Sequence, residues 1–257
     1  VTLSVVVIAL NEEANLGRLL ESVRLADEHI ILDCGSTDRT LEIARAFGAK
    51  TFTEEWKGYS AQKNAAIDKA SGDWVLSLDA DEAVEPELME EIRYVLDHNP
   101  PVNGYYIRRK NYFLGRWIRH GGFYPDCKLR LFRRGHGRFA ERPVHEVVRV
   151  DGPTATLNHA LRHKAYPTLK SYIGHMNRYS SLGAEIVAAE GSRGFSLLNI
   201  VINPAATFLY NYFFRLGLLD GREGLLLHLY HSAYVSWKYA KAWELGRTPQ
   251  SQSKLSS

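Results

Sequence analysis

Hydrophobic and polar positions along the chain follow two rhythms in turn. Leu3 to Ala9 (LSVVVIA) is an almost unbroken, β-branched run, the pattern of a strand buried on both faces. Asn11 then stands where a helix cap is expected. The apolar residues Leu16, Leu19, Leu20 and Val23 after it keep the i, i+3, i+4, i+7 spacing of one helix face. His29 to Leu32 reads as a second strand, ending at "DCGSTD", and a helix is expected from about Arg39 to Phe47. Lys50 to Thr53 is a third strand, Ser60 is placed to cap a helix through Ala70, and "SGD" turns the chain into a strand from Trp74 to Leu78. A further helix begins after Pro86, a residue suited to a first helical turn. This alternation predicts an α/β fold, a mostly parallel sheet with helices on both faces.

In such sheets ligands bind beyond the carboxyl ends of the strands. Asn11 and Glu12, Asp33, and Asp79 with Asp81 all follow the carboxyl ends of predicted strands. The stretch "WVLSLDADEAVEP" poses a physical problem. A buried strand runs straight into Asp79, Asp81 and Glu82, and close carboxylates repel and resist desolvation. Positive charge has to stand opposite them. A hard divalent cation, Mg²⁺ or Mn²⁺, held by oxygen ligands with positions left for substrate phosphates, is one solution.

The rhythm changes from Asn103. "GYYIRRKNYF" and "KLRLFRRG" read as alternating strands rich in Arg and aromatic residues, and helices resume near Thr168. Phe195 to Leu219 is 25 residues long with Arg215 as its single charge, and a second apolar stretch, Leu225 to Ala240, follows "DGREG". The length permits a membrane span, but Asn199, Asn203, Pro204, Asn211 and Arg215 argue against a simple one. Tyr210, Tyr212, Tyr230, Tyr234, Trp237, Tyr239 and Trp243 mixed with Lys and Arg suit the plane of a membrane interface. A buried helical hairpin or an oligomer contact is the alternative.

Composition adds boundaries. The 257 residues are 45% hydrophobic and 24% charged, ordinary for a folded protein, and only the polar tail from about Thr248 to Ser257 reads as flexible. The two cysteines, Cys34 and Cys127, lie in no CxxC pattern, so no disulfide framework is expected and a reducing cytoplasm fits better. The first residues open directly into a strand, and no signal peptide is expected. Net charge is +3 but unevenly spread: residues 1–99 hold 9 Lys/Arg against 20 Asp/Glu, and residues 105–150 hold 12 against 3. The basic part suggests an anionic ligand or surface, with a solvated basic face as the alternative. GxxxxGK[ST], GxGxxG after the first strand, HExxH and GxSxG are all missing. The basic segment has no recognisable nucleic-acid-binding frame, so no nucleic-acid partner is expected. A D-x-D phosphatase is set aside, because its acidic pair belongs near the first strand with Thr where this chain has Ala83.

Four motifs together, "SVVVIALNEEANL", "ILDCGSTDRTLEIA", "GYSAQKNAAIDKASGDWVLSLDADE" and "KLRLFRRGHGRFAERPVHE", resemble glycosyltransferase family 2 across roughly residues 3–150. Within it the chain looks closest to bacterial lipopolysaccharide core glucosyltransferases. The resemblance implies a GT-A fold, a nucleotide-sugar donor (usually UDP-linked), a divalent metal and inversion at the anomeric carbon. It implies that Asp33 contacts the uracil, with Cys34 where many relatives carry a second acid. It sets Asn11 and Glu12 beside the nucleoside and Lys63 near the nucleotide and diphosphate. Asp79 would face the ribose or share the metal, and Asp81 would be the main metal ligand. Glu146 in "VHE" matches the acidic catalytic residue, the base that takes the acceptor hydroxyl proton; structural pairing with Arg142 or Arg149 is its alternative. Asp126 is the reserve base or an acceptor contact, Arg130 a phosphate contact or a support for Glu146, and His163 a third metal ligand.

The expectation is therefore an inverting, metal-dependent hexosyltransferase. It uses a UDP-sugar donor and a glycolipid or oligosaccharide acceptor of the bacterial envelope, and it is peripheral on the cytoplasmic face of the membrane. Residues 1–165 would form the GT-A domain, residues 166–247 a helical extension and residues 248–257 a tail. A non-catalytic nucleotide-sugar-binding scaffold is the competing reading. An apolar extension serves oligomers as well as membranes, so both partners stand as options.

Overall fold

A computed structural model describes residues 1–98, 100–140, 147–190 and 195–247. The chain divides into two compact units, one of residues 1–110 and 125–164, the other of residues 111–124 and 165–257.

In the first unit, strands β1 (Leu3–Ala9), β2 (Glu28–Asp33), β3 (Lys50–Thr53) and β4 (Trp74–Asp79) pair in parallel in the order β3-β2-β1-β4. Helices α1 (Leu16–Ser22), α2 (Thr40–Ala46), α3 (Tyr59–Asp68) and α4 (Pro86–Asp97) make the connections. The β-branched runs are explained by burial on both faces. Val5, Val7, Leu76 and Leu78 pack in one core with Leu16, Leu19 and Leu20 of α1 and Leu88 and Ile92 of α4. Val6, Ile30, Leu32 and Val75 pack in another with Ala66 and Ile67 of α3. Each fully buried Val, Leu or Ile among them contributes roughly 1.5–3 kcal/mol.

Beyond β4 the sheet turns antiparallel. After a short strand β5 (Glu82–Val84), the long β6 (Gly104–Phe113) pairs with β8 (Asp126–Arg133), and β8 pairs with β4, Trp74 opposite Arg133 and Leu76 opposite Leu131. The small strand β7 (Arg116–Trp117) lies between β6 and β8 in sequence. Strands β9 (Gly137–Phe139) and β10 (Val148–Val150) form a two-stranded ribbon, and β11 (Thr154–Tyr166) pairs with β5 so that His163 faces Glu82. The antiparallel strands carry the basic residues of the sequence next to the acidic end of β4.

Two expected helix caps are replaced. Asn11 adopts a left-handed backbone, φ 56°, and helix α1 starts only at Leu16 after Asn15. Ser60 lies inside α3, which begins after Gly58, and its hydroxyl donates to the Ala140 carbonyl at 3.0 Å. In both cases a longer-range partner takes the polar side chain that a local cap would have used.

The second unit is helical. Helix α5 (Leu169–Ala189) starts with a capping box between Thr168 and Ser171 and packs against α7 (Gly221–Leu245). Its core joins Phe113, Ile118, Tyr172, Met176 and Leu227. Between them run a π-helical turn (Leu198–Ile202), α6 (Asn203–Leu209), a second π-helical turn (Tyr210–Phe214) and a 3₁₀ turn (Gly217–Asp220). Asp220 is buried and accepts from the Arg119 and His120 amides at 3.2 and 2.9 Å. His228 is buried, and neither ring nitrogen has a hydrogen-bond partner. Among the described residues no helix is long and apolar enough to cross a membrane.

Candidate functional site

The carboxyl ends of β1, β2 and β4 deliver the polar residues, as parallel topology requires. After β1 and β2, two loops are stitched together by side chains. The Asn11 amide donates to Ser36 Oγ at 2.8 Å, and the Thr37 amide donates to Asn11 Oδ1 at 2.9 Å. The Glu12 amide donates to Thr40 Oγ1 at 2.7 Å. The Glu13 amide donates to Asp38 Oδ2 and the Arg39 amide to Glu13 Oε2, both at 3.1 Å. Asp33 is 1% exposed and shapes its own loop, its Oδ2 accepting from the Gly35 and Ser36 amides at 2.9 Å and its Oδ1 from Ser36 Oγ at 2.5 Å. Three of roughly four acceptor positions of a carboxylate are thereby filled.

The end of β4 answers the repulsion problem with protein cations. Asp79 takes Lys63 Nζ of α3 on Oδ1 at 2.7 Å and Arg130 Nη2 of β8 on Oδ2. The same Arg130 nitrogen donates to Glu82 Oε1 at 2.8 Å. Glu82, with 0% exposure, also receives Arg109 Nη1 of β6 at 3.3 Å, and its Oε2 accepts from the Asp79 amide at 2.9 Å. Arg109 continues to Asp126 at 2.6 Å, which Lys128 reaches at 3.2 Å. Burial alone would raise the Asp79 pKa, but Arg130 and Lys63 outweigh it and hold the carboxyl well below the usual carboxylate range. Burial would likewise lower Arg130, and Asp79 with Glu82 raise it instead.

Asp81 differs from its neighbour. Its Oδ2 lies 3.3 Å from His163 Nε2, while its Oδ1 is buried without a hydrogen-bond partner. Its carbonyl accepts from Arg18 Nη2 at 2.9 Å and from the Lys164 amide at 3.0 Å, which fixes the loop. Burial raises the Glu12 carboxyl pKa, helped by Asp81, Asp38 and Asp79 and opposed by its bond from Asn15. Carboxyl groups from two loops thus feel one another, the condition under which a cation is stabilising. Among the described residues no set of three or more His, Cys, Asp or Glu side chains forms a ready metal cage. A Mg²⁺-type site needs only one or two carboxylates besides substrate phosphates. An unpartnered buried carboxylate oxygen beside an imidazole fits that requirement.

Lys63, Asp79 and Arg130 are therefore one cluster, Asp81 and His163 a second beside it, and Asn11 and Asp33 share the loop wall with Glu12. Asp126 joins the first cluster through Arg109. Glu146 and His145 lie outside the described residues. Glu82 stands in the sequence as the third carboxylate of the acidic run, whereas its partner Arg109 does not announce itself. The acid after D-x-D and the Arg pair in "YYIRRK" carry the signal, but only strand pairing brings them together. Part of the basic stretch serves the protein itself: Arg109, Lys110, Arg130 and Arg138 pair with Glu82, Glu85, Asp79 and Asp68.

An α/β sheet with a carboxylate and cation constellation at its parallel strand ends defines a class, the proteins that bind nucleotides or their conjugates in the crevice above such a sheet. The family model described as glycosyl transferase family 2 matches residues 4–163. The chain belongs to that family, and the sheet and helices are those of its GT-A fold. It is 30% identical over 250 residues to the lipopolysaccharide core biosynthesis glycosyltransferase LpsC of Rhizobium meliloti (strain 1021), covering 94% of this chain and 92% of that protein. It is 32% identical over 242 residues to the uncharacterized glycosyltransferase RT0209 of Rickettsia typhi, covering 87% and 80%. Among solved structures, glucosyl-3-phosphoglycerate synthase from Mycobacterium tuberculosis, in complex with Mn²⁺, UDP-glucose and phosphoglyceric acid, is similar at 28% identity. That match has a TM-score of 0.36 and covers 44% of each chain.

Proposed function

We propose that this glycosyltransferase moves a hexose from a UDP-sugar, with inversion and with Mg²⁺ or Mn²⁺, to a glycolipid or oligosaccharide of the bacterial envelope such as lipopolysaccharide core. The observation that carries the reading is Asp81: a buried carboxylate oxygen without a partner, beside His163, at the end of the strand that also presents Asp79. The naming of LpsC for lipopolysaccharide core biosynthesis supports the acceptor class. A lipid-borne acceptor puts the protein at the inner face of the cytoplasmic membrane.

In this reading Asp81 is the principal ligand of the cation, with His163 and Asp79 adjacent, and the bound cation offsets charge on the diphosphate. Asn11, Glu12 and Asp33 form the wall against the nucleoside. Lys63 and Arg130 hold Asp79 ionised and bring positive charge toward the leaving diphosphate, where preorganised cations stabilise developing charge. Glu146 takes the proton of the attacking acceptor hydroxyl, and a base must lie within hydrogen-bond reach of that proton. Asp126, braced by Arg109 and Lys128, lies on the acceptor side.

Calorimetric titration with UDP, in Mn²⁺ and in chelator, tests this on the wild type and on Asp81→Asn. Cation-dependent binding, weakened at least tenfold (about 1.4 kcal/mol) by the substitution, is the expected result. Equal binding in chelator, or an unaffected variant, refutes it.

A further inference from the structure

Exposed large apolar side chains concentrate in residues 195–245, with Leu197 at 68% and Phe214 at 79% exposure. Within the run from the first π-helical turn to the second, they recur as doublets. Positions 197–198, 201–202, 205–206, 209–210 and 213–214 are all exposed, and all are Leu, Val, Ile, Ala, Tyr or Phe. The repeat is four residues. On an α-helix, four residues overshoot a full turn by about 40°, so such doublets would wind round to the opposite side over this length. The π-helical turns Leu198–Ile202 and Tyr210–Phe214, with their i→i+5 bonding, hold more residues per turn and counter that drift. The backbone irregularity keeps an apolar stripe on one side.

Polar groups in the run are turned to internal use. Asn203 Nδ2 donates to Asn199 Oδ1 at 3.1 Å, and the Ile200 carbonyl accepts from Ser236 Oγ at 3.0 Å. Residues 195–219 contain no Asp or Glu and one cation, Arg215. Cations stand over aromatic rings: Arg215 lies 5.8 Å from the Tyr210 ring centre, and Arg247 and Lys238 lie 4.6 Å from those of Trp243 and Tyr239. Of the acids in residues 195–247, Asp220 is buried, Glu223 lies 3.9 Å from Arg116, and the exposed Glu244 stands one turn before Arg247. The cations Arg215, Arg222, Lys238, Lys241 and Arg247 outnumber them. An anionic surface complements this charge pattern. A second copy would bring the same cations against one another.

We propose that this stripe enters the headgroup layer of an anionic bilayer and lies in its plane, with Arg215, Lys238 and Arg247 at its edge. The inference deepens, and in its biological setting rests on, the reading of a membrane-borne acceptor. The stripe itself involves no residue assigned to donor binding.

Co-sedimentation of the whole protein with vesicles tests it, using phosphatidylcholine alone and an equal mixture of phosphatidylcholine and phosphatidylglycerol. The wild type is expected to pellet with the mixed vesicles and at least tenfold more weakly with the neutral ones. Phe213→Ser with Phe214→Ser is expected to reduce mixed-vesicle binding at least tenfold, with UDP affinity and melting temperature unchanged. Wild type that stays in the supernatant overturns the inference, as does a double variant that binds like wild type. A concentration-dependent dimer abolished by the double variant, without vesicle binding, also overturns it and assigns the stripe to a second copy. Intact UDP binding with no vesicle binding removes only this inference, whereas absent UDP binding removes the donor reading.

Discussion

Replacing Arg130 with Met removes the cation on which the acidic end of β4 depends while keeping an unbranched chain. Arg130 is 5% exposed and Glu82 0%, and one guanidinium nitrogen serves both Glu82 and Asp79. Removing one partner of a buried ion pair costs about 3–5 kcal/mol, because the other charge stays behind. Here Asp79 keeps Lys63 at 2.7 Å and Glu82 keeps Arg109 at 3.3 Å. The expected loss therefore falls at the low end, about 3 kcal/mol, against a total of roughly 5–15 kcal/mol for a domain. Urea unfolding at neutral pH, with the transitions of the two units fitted separately, measures it. Adding Glu82→Gln removes one stranded charge and should return about 1–2 kcal/mol, a coupling in the range seen for contacting groups. The acid limb gives a further readout. Asp79 has a lowered pKa, so its stabilisation is present above the unfolded value near 3.9 and lost as pH falls through the folded value. Without Arg130 the folded value rises, and acid unfolding should begin at higher pH. A loss under about 1 kcal/mol, or a cycle additive within about 0.5 kcal/mol, refutes the view that Arg130 holds these carboxylates together.

Glu12 titrates the other way: its raised folded pKa means that ionisation disfavours the fold, so Glu12→Gln should melt increasingly higher than wild type as pH rises from 4 to 7. The opposite trend in a thermal scan would contradict the burial of this carboxyl. His228, pushed down from 6.5 to about 4 chiefly by burial, has to be neutral in the fold; the helical unit should lose up to about 1.4 kcal/mol per pH unit as pH falls from 6.5 to about 4, and His228→Phe should flatten that slope in urea titrations. A Cβ at Gly217 would overlap the His228 ring, so Gly217→Ala should cost about 1–3 kcal/mol, and wild-type stability would show that the ring can withdraw. Thr168→Ala breaks the capping box of α5 and should cost about 1 kcal/mol by the same measurement, with Thr168→Ser restoring most of it.

What is legible in the sequence follows the range of the forces involved. Strands β1, β2 and β4 show themselves as near-continuous apolar runs because both their faces are buried, and the residues at their tips follow from topology alone. The Thr168 helix start is local chemistry and equally readable. Asn11 and Ser60 mislead because each has the composition of a cap, while its partner lies 25 or more residues away. The cations opposite Asp79 and Glu82 come from β8 and β6. Only the register of two antiparallel pairings places Arg130 and Arg109 there, and a one-residue slip would send both to the other face. The apolar doublets between 197 and 214 are visible as letters, but their common side emerges only with the π-helical turns.

The stitched loops after β1 and β2 have a mechanical consequence. Parallel pairing ends at Ala9 and Asp33, yet Ser, Thr, Asn and Asp side chains carry the connection onward to the first turn of α2. Those two loops form a single hydrogen-bonded panel, and separating them would break several hydrogen bonds at once. A change at any one of these side chains is therefore felt by both loops, and the wall they form is held as one piece.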